Sequence, residues 1–244
     1  MAQFMARLLP LLCFASAAPA AALLEQLAPR FFEWFRNSEG VAKLHSKHVA
    51  AESTVHMMQD TPFASAPDEL KRDFARGPAG AAVARFMQLE QRHIGDWKLG
   101  RIVEAAGADF ESAAARAELR RYLAASPVVL FSFVDCPWCL LAKECLRDEL
   151  VGADAAALRV VELEPLGREG KRLRASIAMA TGRTSMPAIF VGGRAVGGFT
   201  DGDPVGDDAD LCLEGSPGLE ALADSGKLRE LLAEAGVESG DPSP

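Results

Sequence analysis

The chain has 244 residues, of which 49% are hydrophobic and 25% charged, and its formal net charge is −8 at pH 7. This composition is typical of a globular protein with a sizeable core. The acidic balance argues against nucleic acid as a partner, because affinity for the phosphate backbone is carried by lysine and arginine.

The first 20 residues predict a signal peptide. Arg7 is followed by an almost wholly apolar stretch and then by small residues, and Ala-x-Ala triplets stand at 15–17 and 18–20. This order matches the charged, apolar and cleavage regions of a secretory signal. We therefore expect the secretory route, ending in the ER lumen or in a plastid reached through the ER; a cytoplasmic protein is the alternative. No other stretch approaches transmembrane length, so no membrane span is expected in the mature chain.

Residues 24–108 form an extension without a recognisable motif. Apolar residues at helical spacing occur near its start and again over 81–107, whereas 61–82 is rich in Pro, Ala and Gly, with a helical turn expected at 68–75. His45 and His48 are an i, i+3 pair, but they lack the further ligands that a metal site needs, so no metal is expected. The extension is predicted to be mostly helical or irregular, and its role is unassigned.

From residue 109 to 244 the sequence predicts an α/β domain. The predicted elements are a helix at 109–126, a strand at 128–134, a helix at 140–151, a strand at 157–166, a helix at 167–182, strands at 186–193 and 194–199, and helical structure at 217–236. The strand–helix–strand start makes the first two strands parallel, and the closing hairpin adds an antiparallel pair. This order predicts a thioredoxin-like fold, with a four-stranded mixed sheet flanked by helices.

Cys136 and Cys139 stand between the first predicted strand and the following helix. Backbone N–H groups and the partial positive charge of a helix N-terminus favour a thiolate there, and Pro137 fits the first helical turn. Cys139 is three residues further on, near enough to close a disulfide. The spacing predicts a redox pair, in which one thiolate attacks and the neighbouring thiol resolves the mixed disulfide.

Zinc is the rival interpretation of the two cysteines, and the rest of the sequence disfavours it. The only later cysteines are Cys145 and Cys212, and no histidine follows His93. A structural zinc site needs four nitrogen or sulfur ligands. Cys145 is expected to be a buried small apolar residue, and Trp138 to pack against the fold, with shielding of a mixed disulfide as its alternative role.

Two later stretches fit the same redox site. Pro187 stands at the start of the third predicted strand, opposite the cysteines in such a fold. A cis bond at Pro187 would leave the backbone of Met186 free to pair with a substrate. In VGGFTDG, Gly197 and Gly198 permit a sharp turn, after which backbone amides can hold a carboxylate.

The segment from about residue 111 to 236 resembles the dithiol glutaredoxins. Its VVLFSFVDCPWC, GRTSMPAIFVGG and VGGFTDG stretches are similar to that family's active-site strand, Thr-Val-Pro-type loop and Gly-Gly glutathione loop, in the same order. The resemblance implies a monomeric enzyme that uses glutathione as co-substrate and reduces glutathione mixed disulfides and protein disulfides. The alternatives are a glutathione-ligated [2Fe–2S] protein, using Cys136 from each of two subunits, and a lumenal disulfide oxidase.

The resemblance also implies roles for individual residues. Cys136 is expected to be the nucleophile and Cys139 the resolving thiol. Backbone groups at Met186 would contact the cysteinyl part of glutathione, Arg183 its glycine carboxylate, and the amides after Gly198 its γ-glutamyl carboxylate. The implied glutathione site comprises Arg183, Met186, Pro187, Gly198, Phe199, Thr200 and Asp201.

Three features depart from the family pattern. Phe133 stands where many glutaredoxins have lysine, and Asp135 puts a negative charge beside Cys136, so we expect a nucleophile less acidic than usual, with the helix terminus still dominant. The third is an acidic insertion at 202–216. A solvated surface loop is the expectation there, and a regulatory disulfide through Cys212 is the alternative.

Overall fold

The computed structural model describes residues 18–38, 66–204 and 206–237. The predicted signal peptide lies outside these ranges apart from positions 18–20, which begin the first described helix. The His45–His48 pair also lies outside them. The described helices are α1 (Ala18–Asn37), α2 (Asp68–Arg76), α3 (Pro78–Ala105), α4 (Ser112–Ala124), α5 (Pro137–Glu149), α6 (Arg168–Thr181), α7 (Leu219–Asp224) and α8 (Lys227–Glu234).

The strands form one mixed sheet, as predicted. They are β1 (Val128–Ser132), β2 (Leu158–Glu162), β3 (Ala188–Val191) and β4 (Arg194–Gly197), in the spatial order β2-β1-β3-β4. β1 pairs in parallel with β2 and antiparallel with β3, and β3 pairs antiparallel with β4. With helices on both faces, this is the predicted thioredoxin-like arrangement.

All four predicted strands are longer than the observed ones, and the first two show why. β1 ends at Ser132, because the chain then turns towards the cysteines and the Cys136 N–H donates to the Phe133 carbonyl. β2 ends at Glu162, and Glu164–Leu166 forms a 3₁₀ turn that leads into α6. In both strands apolar residues follow the last pair of the ladder, Ser132 with Glu162: Phe133 and Val134 after β1, and Leu163 after β2.

The core lies on both faces of the sheet. All five residues of β1 are buried, which explains its unbroken apolar sequence. Val129 and Phe131 face a cluster with Leu119 of α4 and Ile177 of α6. On the opposite face Val128, Leu130 and Ile189 pack with residues of the active-site helix and the C-terminal helices, namely Leu146, Leu219, Leu228 and Leu232.

The described part of the extension is helical, and it packs against the α/β domain. On α3, Ile102 lies in a buried cluster with Ala175 and Ala178 of α6, while α2 lies along α5. α1 packs on α3 through Phe32 and Leu89 and neighbouring aromatic rings. Within the described ranges, no helix has both the length and the apolar character needed to cross a membrane.

Candidate active site

The two motif cysteines lie where β1 passes into α5. Cys136 is the N-cap residue, with extended backbone angles (φ −80°, ψ 119°), and its Sγ accepts the Cys139 N–H at 3.3 Å. Pro137 begins the helix, where no backbone donor is required. Cys139 is fully buried behind Cys136, and its Sγ accepts the Phe133 N–H at 3.5 Å. An amide of the first helical turn therefore points at Cys136 Sγ, whereas Cys139 Sγ is buried.

The environment pushes the pKa values of the two thiols apart. Burial by itself would raise the pKa of Cys136, but hydrogen bonds from the Cys139 thiol and from the Cys139 and Trp138 amides, together with the charge of Lys143, lower it below the usual value. Burial raises the pKa of Cys139 well above the usual value, and the thiolate it faces raises it further. The Cys139 thiol and the helix amides together thus outweigh burial, and a Cys136 less acidic than in other members of the family stays a prediction.

This difference predicts selective alkylation. At pH 7 a brief treatment of the reduced full-length chain with limiting iodoacetamide is expected to label Cys136 at least about tenfold faster than Cys139, because the thiolate is the reacting form. The lowered pKa keeps Cys136 reactive as pH falls below the range of an ordinary thiol, whereas the raised pKa leaves Cys139 protonated. Peptide mass spectrometry over pH 5–9 measures both rates, and equal labelling would contradict the assignment.

The loop before β3 lies against Cys136. The Met186–Pro187 peptide bond is cis, as predicted, and the Cys136 thiol donates to the Met186 carbonyl across 3.8 Å. The extension holds the same loop from behind. Gln91 of α3 accepts from the Thr184 hydroxyl at 2.6 Å and from the Thr184 N–H at 3.2 Å, and its Nε2 donates to the Gly182 carbonyl at 2.9 Å.

The Gly-Gly loop turns sharply at the end of β4. Gly197 has φ +106°, and a Cβ there would lie 2.5 Å from the Asp201 carbonyl. The Gly198 N–H donates to that carbonyl at 2.7 Å. The Gly198 and Phe199 carbonyls accept from the amides of residues 219 and 220 at the start of α7. Thr200 lies in the same turn and is partly exposed.

Arg183 joins the two loops. Its Nε donates to the Pro187 carbonyl at 2.8 Å, and its two Nη atoms each lie 2.9 Å from a carboxylate oxygen, one of Asp201 and one of Asp203. The side chains of Arg183 and Asp203 are both only 4% exposed. The predicted contact of Arg183 with a glutathione carboxylate stays a prediction, since in this structure the guanidinium binds the protein's own carboxylates.

Comparisons with known proteins identify the family. The chain is 31% identical over 118 residues to the chloroplastic glutaredoxin-C4 of Oryza sativa subsp. japonica, which is 48% of this chain and 71% of that relative. It is 30% identical over 123 residues to glutaredoxin-C6 of the same species, or 50% of this chain and 89% of the relative. The chain belongs to the glutaredoxin family. Its redox function is therefore of the glutaredoxin type, that of an oxidoreductase.

The other comparisons add two findings. A solved buckwheat glutaredoxin–glutathione complex is 25% identical and covers 53% of this chain and 97% of that chain, with a TM-score of 0.40. No family model matches the sequence.

Arg174, a buried cation beside the candidate site, was not singled out by the sequence analysis. Arg174 of α6 is 7% exposed, its guanidinium lies 5.3 Å from the centroid of the Phe133 ring, and its Nη2 donates to the Thr184 carbonyl at 3.1 Å. Burial lowers its pKa to about 10, which leaves it charged at neutral pH. A cation thus stands beside Phe133, where the resemblance leads one to expect lysine. The available signal was an arginine between Leu173 and Ile177 on the buried stripe of α6.

The described residues of the acidic insertion form a surface loop, since positions 204, 207, 209, 210, 214 and 215 are exposed, but the loop is also anchored to the rest of the domain. The Asp207 and Asp208 amides donate to carbonyls at the end of α6, and Arg116 of α4 pairs with Asp208 at 3.1 Å. Asp203 and Leu211 are buried. Four of the six acidic residues between 201 and 214 therefore face arginines, which offsets much of the charge that the sequence suggests.

The structure also locates the two remaining described cysteines and Trp138. All four described cysteines are free, so a regulatory disulfide through Cys212 stays a prediction. Cys145 is partly buried, and its pKa is raised to about 11, mainly by burial. Trp138 packs against both core clusters and meets the Phe74 ring of α2 edge-on at 6.0 Å, which agrees with the packing role expected for it.

Proposed function

We propose that this glutaredoxin is a glutathione-dependent thiol–disulfide oxidoreductase that reduces glutathione mixed disulfides and protein disulfides. The observation that carries the proposal is the pair of cysteines at the start of α5. Hydrogen bonds from Cys139 and from helix amides lower the pKa of Cys136, whose Sγ lies 3.8 Å from the Met186 carbonyl oxygen, and burial raises the pKa of Cys139 directly behind it. Such a pair provides one attacking and one resolving sulfur.

The reaction proceeds in two exchanges. The Cys136 thiolate attacks the glutathione sulfur of a protein mixed disulfide, the old S–S bond breaks, and the protein leaves as thiolate and takes up a proton. Cys136 is now bonded to glutathione. A second glutathione thiolate attacks that sulfur, releases oxidised glutathione and regenerates Cys136. Cys139 offers an alternative second step, in which it closes a disulfide with Cys136 and releases glutathione.

The site residues suggest how glutathione would be held. Its cysteinyl backbone would pair with Met186 beside Pro187, and its γ-glutamyl carboxylate would meet the amides of the loop after Gly198. For the glycine carboxylate we propose Arg174, whose Nε has no protein partner among the described residues. The residues proposed for the γ-glutamyl side are Phe199, Thr200 and Asp201. Arg183 would act by holding both loops in place.

A coupled assay tests the proposal on the full chain. The assay contains glutathione, glutathione reductase and NADPH, and its substrate is a mixed disulfide between glutathione and a small thiol. Turnover should saturate with both the mixed disulfide and glutathione. Replacing the glutathione system with thioredoxin, thioredoxin reductase and NADPH should give only background. A folded protein that shows no turnover, or equal turnover in both systems, would contradict the proposal. A reduction potential near −120 mV instead of about −200 to −230 mV would favour the lumenal oxidase.

We also propose delivery along the secretory route, with a plastid as a destination to test beside the ER lumen. The support is the predicted signal peptide, together with the rice relative that is named chloroplastic. Glutathione and glutathionylated or disulfide-containing proteins would be the partners of this glutaredoxin in either compartment, and we propose that it acts as a monomer.

A further inference from the structure

We propose that Lys71, from the extension, is a positioning residue of the active site that neutralises Asp135 and thereby keeps Cys136 reactive. Lys71 Nζ donates to Asp135 Oδ1 at 2.9 Å, across 64 residues of sequence. The inference deepens the proposed function, since it takes Cys136 as the reactive thiol. It assigns to a segment outside the glutaredoxin domain a role inside the site.

Asp135 is a group whose charge matters to the nucleophile. It immediately precedes Cys136, and its side chain is only 22% exposed, so its charge is poorly screened by water. An unpaired carboxylate there would disfavour a second negative charge on Cys136. In the structure the Lys71 ammonium offsets it.

The other charged groups near the start of α5 do not replace Lys71. Glu164 accepts the Val134 N–H at 3.0 Å and adds a further carboxylate. Lys143 contributes a positive charge, but its Nζ is paired with Glu162 at 2.5 Å. Asp68 lies 3.5 Å from Lys71 and is mostly exposed. Arg174 lies beside Phe133, but its charge interacts with Glu90 and Glu164. Removing Lys71 would therefore leave Asp135 without a paired cation among the described residues.

The burial of Lys71 indicates that this contact is specific. Within helix α2, Lys71 is the one buried residue, at 6% exposure, whereas its apolar neighbour Leu70 is 55% exposed. Hydrophobicity alone would bury Leu70 and expose Lys71. Burying an ammonium group is strongly unfavourable unless it is paired. Burial opposes the charge of Lys71, but Asp135 and Asp68 raise its pKa overall, so it remains charged.

Helix α2 is held in place independently of Lys71. Arg72 Nη1 lies 2.5 Å from a carboxylate oxygen of Glu144 on α5, and Phe74 contacts Trp138. Both contacts are with residues of α5, which begins after Asp135. They allow the charge of Lys71 to be removed while the helix stays docked, and they supply a matched control.

The test is the pH dependence of Cys136 alkylation in the full-length chain. Lys71→Met is expected to slow iodoacetamide alkylation at pH 6.5 by about three- to tenfold and to move its midpoint to higher pH, because less thiolate is present. Asp135→Asn should react at least as fast as the wild type. The double variant Lys71→Met/Asp135→Asn should return to within about twofold of Asp135→Asn, because the uncompensated charge is gone.

Two results would overturn the proposal. One is a double variant as slow as Lys71→Met, because that would show that the lysine acts through packing. The other is Arg72→Gln slowing alkylation as much as Lys71→Met, because that change loosens α2 without altering the pairing of Asp135. Alkylation needs neither glutathione nor turnover, so failure of the proposed function in the coupled assay would be seen separately from failure of this inference.

Discussion

Cys136→Ser is expected to lower turnover of a glutathione mixed disulfide to background, a loss on the order of 10³-fold or more, whereas Cys139→Ser should keep most of it. Serine presents no thiolate for attack on a disulfide. Cys139 is fully buried with a raised pKa, so it cannot replace the missing nucleophile. The coupled assay with glutathione and glutathione reductase measures both variants.

On a protein disulfide both variants should lose activity, each at a different step. There the first exchange leaves Cys136 bonded to the substrate protein, and release depends on attack by Cys139 or by glutathione. Cys139→Ser is therefore expected to slow this reaction strongly and to accumulate a covalent complex, visible on a non-reducing gel. Cys145→Ser is the matched control, since Cys145 lies on the same helix with a pKa of about 11 and should leave both reactions unchanged. Equal loss in Cys136→Ser and Cys139→Ser on the mixed disulfide would contradict the assigned roles.

Local sequence patterns were sufficient to predict the sheet and the cysteine pair. The apolar stretch of β1 reports burial on both faces, Pro137 marks the first turn of α5, and Gly192 and Gly193 turn the chain between β3 and β4 with positive φ values of 57° and 78°. Each signal lies within a few residues of the structure it specifies. Their order along the chain then restricts the topology to few solutions.

The features that the sequence did not predict all depend on contacts between distant residues. Lys71 meets Asp135 across 64 positions and Gln91 meets Thr184 across 93, and no periodicity reports such a pairing. The sequence could have singled out Arg174 as a charge on a buried helical stripe. It could not have predicted that Arg174 lies beside Phe133. The ion pairs of the insertion were missed for the same reason, because the arginines that pair with its carboxylates lie elsewhere in the chain.

Arg183→Met is expected to lower the free energy of unfolding by about 3–5 kcal/mol, because it leaves a buried carboxylate without its partner. Arg183 and Asp203 are each 4% exposed, and burial already raises the pKa of Asp203 against the opposing charge of Arg183. Without the guanidinium, Asp203 must take up a proton or draw in water. Urea unfolding followed by circular dichroism measures the change.

Two further variants separate burial from charge. Arg194→Met removes an arginine–carboxylate contact of similar length, 3.1 Å to Glu234, but with side chains 44% and 66% exposed, so its cost should stay within about 1 kcal/mol. Arg183→Met/Asp203→Asn removes both buried charges and should recover part of the loss. If Arg183→Met proved no more costly than Arg194→Met, the buried ion pair would not be what holds the two loops together.

The double variant Arg183→Met/Asp203→Asn also tests whether Arg183 binds glutathione directly or only holds the two loops. If Arg183 only holds the loops, Arg183→Met/Asp203→Asn should regain part of the affinity lost in Arg183→Met, as the loops are restored. If Arg183 binds a glutathione carboxylate directly, the KM for glutathione should stay equally high in both variants, because neither supplies a cation.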